Sequence, residues 1–446
     1  MVKFERDFVF GTSTSSYQIE GAVYEGGRSP SIWDIFCKIP GRVYEGHTGD
    51  IACDHYYKYE EDVELMAEIG VDAYRFSISW PRIFPEYGMY NPKGMEFYKK
   101  LINALNARGI KPVATLYHWD LPVWAYKMGG WLKRDSVNWF EEYALKVFDE
   151  LNDSVKFWIT HNEPLSASHL GYGIGIHAPG HKNMREFLTA AHHILLSHGR
   201  VVESFRRLDF KNSKIGIALN LIPSYPSSDS NEDSGAALRA DGMMNRWFLD
   251  PIFKSSYPED MKKVLGAIAG DLDFIKNGDL QKISIKNDFL GVNYYTRALI
   301  KFSHGSILNY ESVKGNLEKT AMGWEICPEA LYDLIVRLRE ECTQIPIYIT
   351  ENGAAFDDVL SKDKRLHDAK RIDYIKRHLI KVAELNEQGE DIRGYFIWSL
   401  MDNLEWEHGY SKRFGIIYID YETQERILKD SALWYKNLIE KRTIIQ

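Results

Sequence analysis

FWITHNEP, residues 157–164, begins as a strand and ends in chemistry. Phe157–Thr160 is a short apolar and β-branched run that suits a buried strand. His161, Asn162 and Glu163 follow at once, and Pro164 stops the run. The same design returns far along the chain in IYITENG, residues 347–353, where a strand-like run meets Glu351, Asn352 and Gly353. Two strands that each end in a carboxylate raise the question of whether their ends share one site.

Working outward from these two, six more strand-like segments can be read. They are FVFGTST near the start, 73–79, 112–118, 214–220, 289–295 and 394–400. Several are apolar on both faces, as strands between a barrel interior and a helix layer must be. Helical patterns separate them. YEEDVELMAEIG closes on Gly70 and GMEFYKKLINALNARG on Gly109, both natural C-terminal caps, and SVNWFEEYALKVFDEL starts after Asp135, a candidate N-cap. Two more patterns lie at EALYDLIVRLREEC and AKRIDYIKRHLIKVAELNEQG, and 221–288 is expected to hold one helix pair plus an excursion over the active face. Eight strands alternating with helices predict an α/β fold, a single (β/α)8 TIM barrel with elaborated βα loops spanning residues 1–446. A doubly wound sheet with a dinucleotide site would need a Gly-rich turn after the first strand, and GTSTSS has one glycine.

The composition is that of an ordinary globular chain: of 446 residues, 45% are hydrophobic and 26% charged. A net charge of −8 and the lack of any long basic run argue against nucleic acid. No apolar run approaches the length of a membrane span, and Glu5, Arg6 and Asp7 occupy the place of a signal peptide's apolar centre. Four scattered cysteines form no framework, so a cytoplasmic location is expected. A homo-oligomer is compatible with the sequence. Aromatic residues are abundant, with 12 Trp and 27 Tyr, which points to a large core or a lined pocket.

In a TIM barrel the chemistry sits at the C-terminal ends of the strands. Those ends carry Gln18, Arg75, His118 and Trp119, Asn162 and Glu163, Asn220, Asn293 and Tyr295, Glu351, and Trp398 followed by Glu405 and Trp406. No lysine ends a strand, which opposes Schiff-base chemistry. Cys53, Asp54 and His55 match no zinc spacing and read as capping or ion-pairing residues, so no metal and no cofactor are expected. Amides, carboxylates and indoles together suit a sugar, with hydroxyls around its rim and apolar C–H faces. Two carboxylates nearly across a ring of eight strands are what glycosidic cleavage requires. Glu163, walled by aromatics, would have the raised pKa of a general acid; Glu351, paired with Arg75 and bonded by Tyr295, would stay ionised. On these grounds the two roles could be exchanged. Read one at a time, each residue also has a plainer role: a glutamate after a strand is often a helix-terminal charge, and His118 could be a satisfied core histidine. Trp33, Trp124 and Trp247 read as packing, His192 and His193 as structural residues of a helix. Glu405 and Glu407 could not both face inward from an extended segment.

The motifs THNEP (160–164), YITENG (348–353), SYQIEGA (16–22), YRFSISWPRI (74–83), LYHWDLP (116–122), NYY (293–295), WSLMDNLEW (398–406) and KRFGIIYID (412–420) together resemble glycoside hydrolase family 1 over essentially the whole chain. The resemblance implies a retaining β-glycosidase with Glu163 as acid/base and Glu351 as nucleophile. It places Gln18, His118, Asn162, Glu405 and Trp406 on the non-reducing sugar, Trp398 as its stacking platform, Asn293 and Tyr295 beside the nucleophile, and Trp324 as a leaving-group platform. Trp119 and Phe414 complete the expected substrate set, with Arg75 in support. The implied substrates are small β-glucosides and oligosaccharides, with β-galactosidase or β-fucosidase side activity and transfer to an alcohol or sugar in place of water. The branch acting on 6-phosphorylated sugars, the alternative within the family, usually has Ser at position 405 and Tyr at 414; Lys412 does match that branch. A non-catalytic sugar-binding barrel would lose one glutamate, and a metal-dependent isomerase would show inward carboxylates clustered with histidines. His161 stands where the family more often has an apolar or aromatic residue, which sets a titratable group next to the acid.

Overall fold

All eight expected strands form, and they pair in parallel around a closed ring. In the computed structural model, which describes residues 2–445, they are β1 (Val9–Ser13), β2 (Ala73–Ser77), β3 (Lys111–Tyr117), β4 (Phe157–Asn162), β5 (Lys214–Asn220), β6 (Phe289–Asn293), β7 (Ile347–Asn352) and β8 (Ile392–Trp398). β8 closes the ring on β1, with Gly394 opposite Val9 and Trp398 opposite Ser13. Long amphipathic helices connect the strands, among them His55–Ile69, Pro92–Ala107, Ser136–Leu151, Met184–Arg207, Pro328–Glu341 and Ala369–Glu387. Their apolar faces cover the outside of the ring, so the strands are buried on both sides. Inside, Ala73, Val113, Ile159, Ala218, Phe289, Tyr348 and Phe396 plug the end from which the strands start.

The caps and connections differ from the sequence reading in two places, at Asp135 and over residues 221–288. Gly70 does close its helix in the left-handed region at φ 82°, a conformation that glycine adopts without strain. Asp135 sits at the expected boundary but has helical dihedrals and makes no capping bond with its side chain, so the first turn is held by backbone bonds instead. Residues 221–288 hold more than one helix pair: helices Asn231–Asp241, Trp247–Phe253, Glu259–Ala269 and Asp279–Ile283 follow a strand at Ser224–Pro226. That strand joins Ala298–Phe302 and Tyr310–Val313 in a small three-stranded sheet. Apolar periodicity in a single segment cannot reveal such a sheet, because its partners come from later in the chain.

Register shifts interrupt the ladder near the C-terminal ends of β4 and β7: between Ile159 and Asn162 against β5, between Ile349 and Glu351 against β6, and between Ile349 and Asn352 against β8. Bulges of this kind redirect side chains, and here they occur beside the two glutamates.

Behind β7 and β8 a buried ion network anchors the loops. Lys429 Nζ, fully buried, bonds Asp402 Oδ1 at 2.7 Å and also Asp358. Arg371 bonds Asp358 and Asp368, and Arg413 bonds Asp402 Oδ2 at 2.7 Å. Three cations and three carboxylates thus join the loop after β7, the loop after β8 and the last helix. Substituting Lys429→Met leaves two buried carboxylates short of a cation, which is expected to cost roughly 3–5 kcal/mol of stability; urea denaturation of the variant against the parent measures it.

Candidate active site

A cavity opens where the strands end, with about 640 Å³ of empty space including its mouth. His118, Trp119, Asn162, Glu163, Tyr295, Trp324, Glu351, Trp398, Glu405, Trp406 and Phe414 all line it. A crevice at the opposite end of the barrel, floored by Val113, Phe157, Tyr348 and Phe396, has no carboxylate in its wall. Three expected residues lie behind the cavity wall. Arg75 and Asn293 bond the residues that line it, while the Gln18 amide donates to Asn403 Oδ1 at 3.0 Å and to the Leu404 carbonyl at 2.8 Å.

The register shift between Ile159 and Asn162 breaks the period-two alternation of β4: Ile159 faces the barrel interior, and Thr160 and the residue after it both face the helices, Thr160 bonding His198. Asn162 turns inward, whereas His161 turns to the helix layer. There its ring stacks on Phe140 at 4.3 Å and its Nε2 meets Ser197 Oγ at 2.8 Å. Burial holds His161 well below the usual imidazole pKa, so it stays neutral and outside the cavity. Glu163 follows with φ 48°, and Trp119 and Trp406 also have positive φ, 76° and 44°. Such dihedrals strain any residue with a Cβ, by about 1–3 kcal/mol each, and all three residues face this cavity.

The directions of the hydrogen bonds can be worked out in sequence. The Arg75 guanidinium can only donate. It donates to Glu351 Oε1 at 2.5 Å and to the Asn162 side chain at 2.6 Å, so the Asn162 atom facing it is the oxygen. Asn293 also bonds that oxygen, at 2.9 Å, so its facing atom is the amide nitrogen, and this same nitrogen donates to Glu163 Oε1 at 2.7 Å. The Asn162 nitrogen then faces His118 Nε2 at 3.1 Å, which makes Nε2 an acceptor and leaves the His118 proton on Nδ1. Nδ1 is buried without a protein partner. Ser166 Oγ completes the cluster at 2.7 Å from Glu163 Oε2, and Tyr295 Oη donates to Glu351 Oε2 at 2.6 Å.

The two carboxyls are both buried but unequally partnered. Burial, and next the negative charge of Glu351, push the Glu163 pKa up to about 7, against the pull of Asn293, Ser166 and Arg75. Burial raises Glu351 as well, but the Arg75 cation and the Tyr295 hydroxyl oppose it directly. A proton shared by the pair therefore rests on Glu163. Burial, then Glu407 and the other two glutamates, hold Glu405 well above the usual range; its Oε2 has no partner. Aromatic rings surround these groups. Trp398 stacks on His118 at 5.7 Å, and Trp406 packs between Trp33 and Trp119 at 4.5 Å from each. Trp33 and Trp247 are wholly buried packing residues.

Sequence reading missed Ser166, Leu170, His177, Met322, Glu407 and His408 in the lining. Glu405 and Glu407 both reach the cavity because the chain turns into a 3-10 helix at Trp406–Ser411 and is not extended there. Glu407 pairs with His177 at 2.7 Å, a contact between distant segments that no local pattern announces. Among the described residues no three His, Cys, Asp or Glu side chains converge as a metal site; His55 instead pairs with Asp62 at 2.7 Å.

A closed parallel barrel with two unequal buried glutamates and aromatic walls at its mouth is the architecture of a sugar-cleaving enzyme. The glycosyl hydrolase family 1 model matches residues 1–444, and the chain belongs to that family. It is 46% identical over 443 residues to β-glucosidase A of Acetivibrio thermocellus, with 98% of each chain covered. It is 42% identical over 460 residues to a bifunctional β-D-glucosidase/β-D-fucosidase of Bifidobacterium breve, again covering 98% of each. Among solved structures, a β-glucosidase from Exiguobacterium marinum superposes with a TM-score of 0.97 at 56% identity, covering 99% of this chain and 100% of that one.

Burial and the adjacent Arg75 cation hold His118 well below the usual imidazole pKa. Nitrogen-15 NMR of histidine-labelled protein is expected to show His118 as the neutral Nδ1–H tautomer, unchanged from about pH 5 to pH 8. An imidazolium signal from His118 in that range would contradict the bond directions above.

Proposed function

We propose that the chain is a retaining β-glycosidase, chiefly a β-glucosidase, in which residues 1–446 form one hydrolase domain, Glu163 is the acid/base and Glu351 the nucleophile. One observation carries the assignment: Glu351 is held by a cation and a hydroxyl, while Glu163 is held by an amide and a hydroxyl and keeps the proton. The Glu351 carboxylate forms a bond to the anomeric carbon as the glycosidic C–O bond breaks. Glu163 gives its proton to the departing oxygen, which keeps the electron pair. Glu163 then takes a proton from water, whose oxygen displaces Glu351, and the configuration is retained. An alcohol or sugar acceptor in place of water would yield a new glycoside.

The wall supports the choice of substrate. His118 Nδ1 and Glu405 Oε2 are buried polar atoms without protein partners, and a sugar hydroxyl satisfies each. Asn162 lines the cavity beside both glutamates, which suits a contact to a 2-hydroxyl, Trp398 offers a ring to the C–H face, and Trp324 and Phe414 line the same cavity. Gln18, behind Glu405, fixes Asn403 and Leu404 and so supports the sugar-binding loop indirectly. The names of the relatives support glucosides first and fucosides second. A 6-phosphate would meet Glu405 and Glu407 together, which opposes the phosphorylated substrate class. No cofactor enters this chemistry. The unpaired Cys37, Cys53, Cys327 and Cys342 favour the cytoplasm, and no described helix is long and apolar enough to cross a membrane.

Glu351→Ala is expected to abolish turnover, and added azide to restore it as an α-glycosyl azide; a β-azide would exchange the two roles. Glu163→Ala should keep its first step on dinitrophenyl glucosides and lose it on alkyl glucosides, because only the poor leaving group needs the proton. Activity requires Glu163 protonated and Glu351 ionised. The kcat/KM profile should therefore fall as pH rises through about 7, the Glu163 value, and fall again in acid as Glu351 gains a proton. Activity still rising past pH 8 would refute the assignment of Glu163.

A further inference from the structure

Glu163 has two oxygens with partners of different capability. Oε1 faces the Asn293 amide nitrogen, which can only donate, and the chain of bonds from Arg75 fixes that orientation. Oε2 faces the Ser166 hydroxyl, which can donate or accept. A neutral carboxylic acid has one good acceptor oxygen and one that carries hydrogen. The fixed donor takes the acceptor oxygen, so the proton belongs on Oε2. Ser166 is buried and makes no other side-chain bond among the described residues. It lies three residues after Glu163, where the left-handed turn at Glu163 brings the chain back over its own carboxyl.

We propose that Ser166 is a positioning residue for the proton of Glu163. Its hydroxyl accepts from Oε2–H while the acid is neutral, and turns to donate to Oε2 once the proton has left. The proposal rests on the acid/base reading of Glu163. In the first step the Oε2–H bond breaks and the proton goes to the leaving oxygen; Glu163 becomes an anion and Ser166 O–H points at it. In the second step a proton from water returns to Oε2, and Ser166 turns back. Asn293 bonds Oε1 in both states. The other ionisable groups facing Glu163 are Glu351 from β7, Arg75 from β2, Tyr295 beyond β6 and Glu405 beyond β8. His118 lies behind Asn162, and His177 borders the small void next to Ser166. None of these can both donate to and accept from Oε2 at bonding distance.

Ser166→Thr and Ser166→Val test this as a pair of nearly equal shape, one with and one without the hydroxyl. A donor to the anion is worth more than an acceptor for the neutral acid, so losing the hydroxyl should raise the Glu163 pKa. The alkaline limb of kcat/KM in the Val variant is expected to lie roughly half to one pH unit above that of the Thr variant, with kcat on alkyl glucosides falling more than on dinitrophenyl glucosides. If the branched pair fails to fold, Ser166→Ala against Ser166→Cys, which keeps a weak donor, reads the same limb. Coincident limbs, or a limb that moves down without the hydroxyl, would overturn the proposal. If the reading of Glu163 itself is wrong, Glu163→Ala will lose good and poor leaving groups alike. If only the role of Ser166 is wrong, Glu163→Ala will keep its leaving-group dependence while the Thr and Val profiles coincide.

Discussion

A guanidinium sealed inside a protein must be matched on nearly every side, and Arg75 organises the mouth of this barrel for that reason. Its side chain has no exposed surface. Removing such a charge from water costs several kcal/mol unless close, directed partners replace the solvent. Glu351 from β7, the Thr350 carbonyl and Asn162 from β4 supply them. Because arginine only donates, it also sets the orientation of Asn162, then of Asn293 and His118. One cation on β2 thus dictates which atoms around the two glutamates are donors and which are acceptors.

That polarity turns two chemically identical side chains into different groups. Glu351 has a cation against one oxygen and a phenol against the other. Glu163 has a neutral amide and a neutral hydroxyl, and its proton stays bound to about pH 7. Desolvation alone would raise both; the placement of Arg75 separates them. The strain at Trp119, Glu163 and Trp406 belongs to the same design, since all three are held in the left-handed region while facing the cavity. The surrounding structure must override the local preference, and the ion network of Lys429, Arg371 and Arg413 does so for the loops beyond β7 and β8. Phe414 lies between Arg413 and Gly415 in that braced segment and forms part of the cavity wall.

Much of this was legible in the order of residues. Strand ends could be recognised because each apolar run stops at a polar group, and eleven of the expected site residues line one cavity. What escaped depended on contacts between distant segments. Glu407 reaches the cavity only because the chain coils at Trp406, and its partner His177 comes from the loop after β4. Ser166 looks like any serine after a proline until the turn at Glu163 is seen. The sheet that joins Ser224–Pro226 to strands beyond β6 was hidden for the same reason.

Hydrophobic periodicity and the residues that end each strand are local properties, so the eightfold alternation, the circle of polar ends and the identity of the two glutamates can be read from residue order alone. Hydrogen-bond direction and burial are not local. Which glutamate holds the proton, that His161 is neutral and turned away, and that Gln18 holds Asn403 and Leu404 from behind the cavity wall depend on the folded chain. Each depends on which atoms are brought within about 3 Å of one another and shielded from water, and only the closed barrel sets those distances.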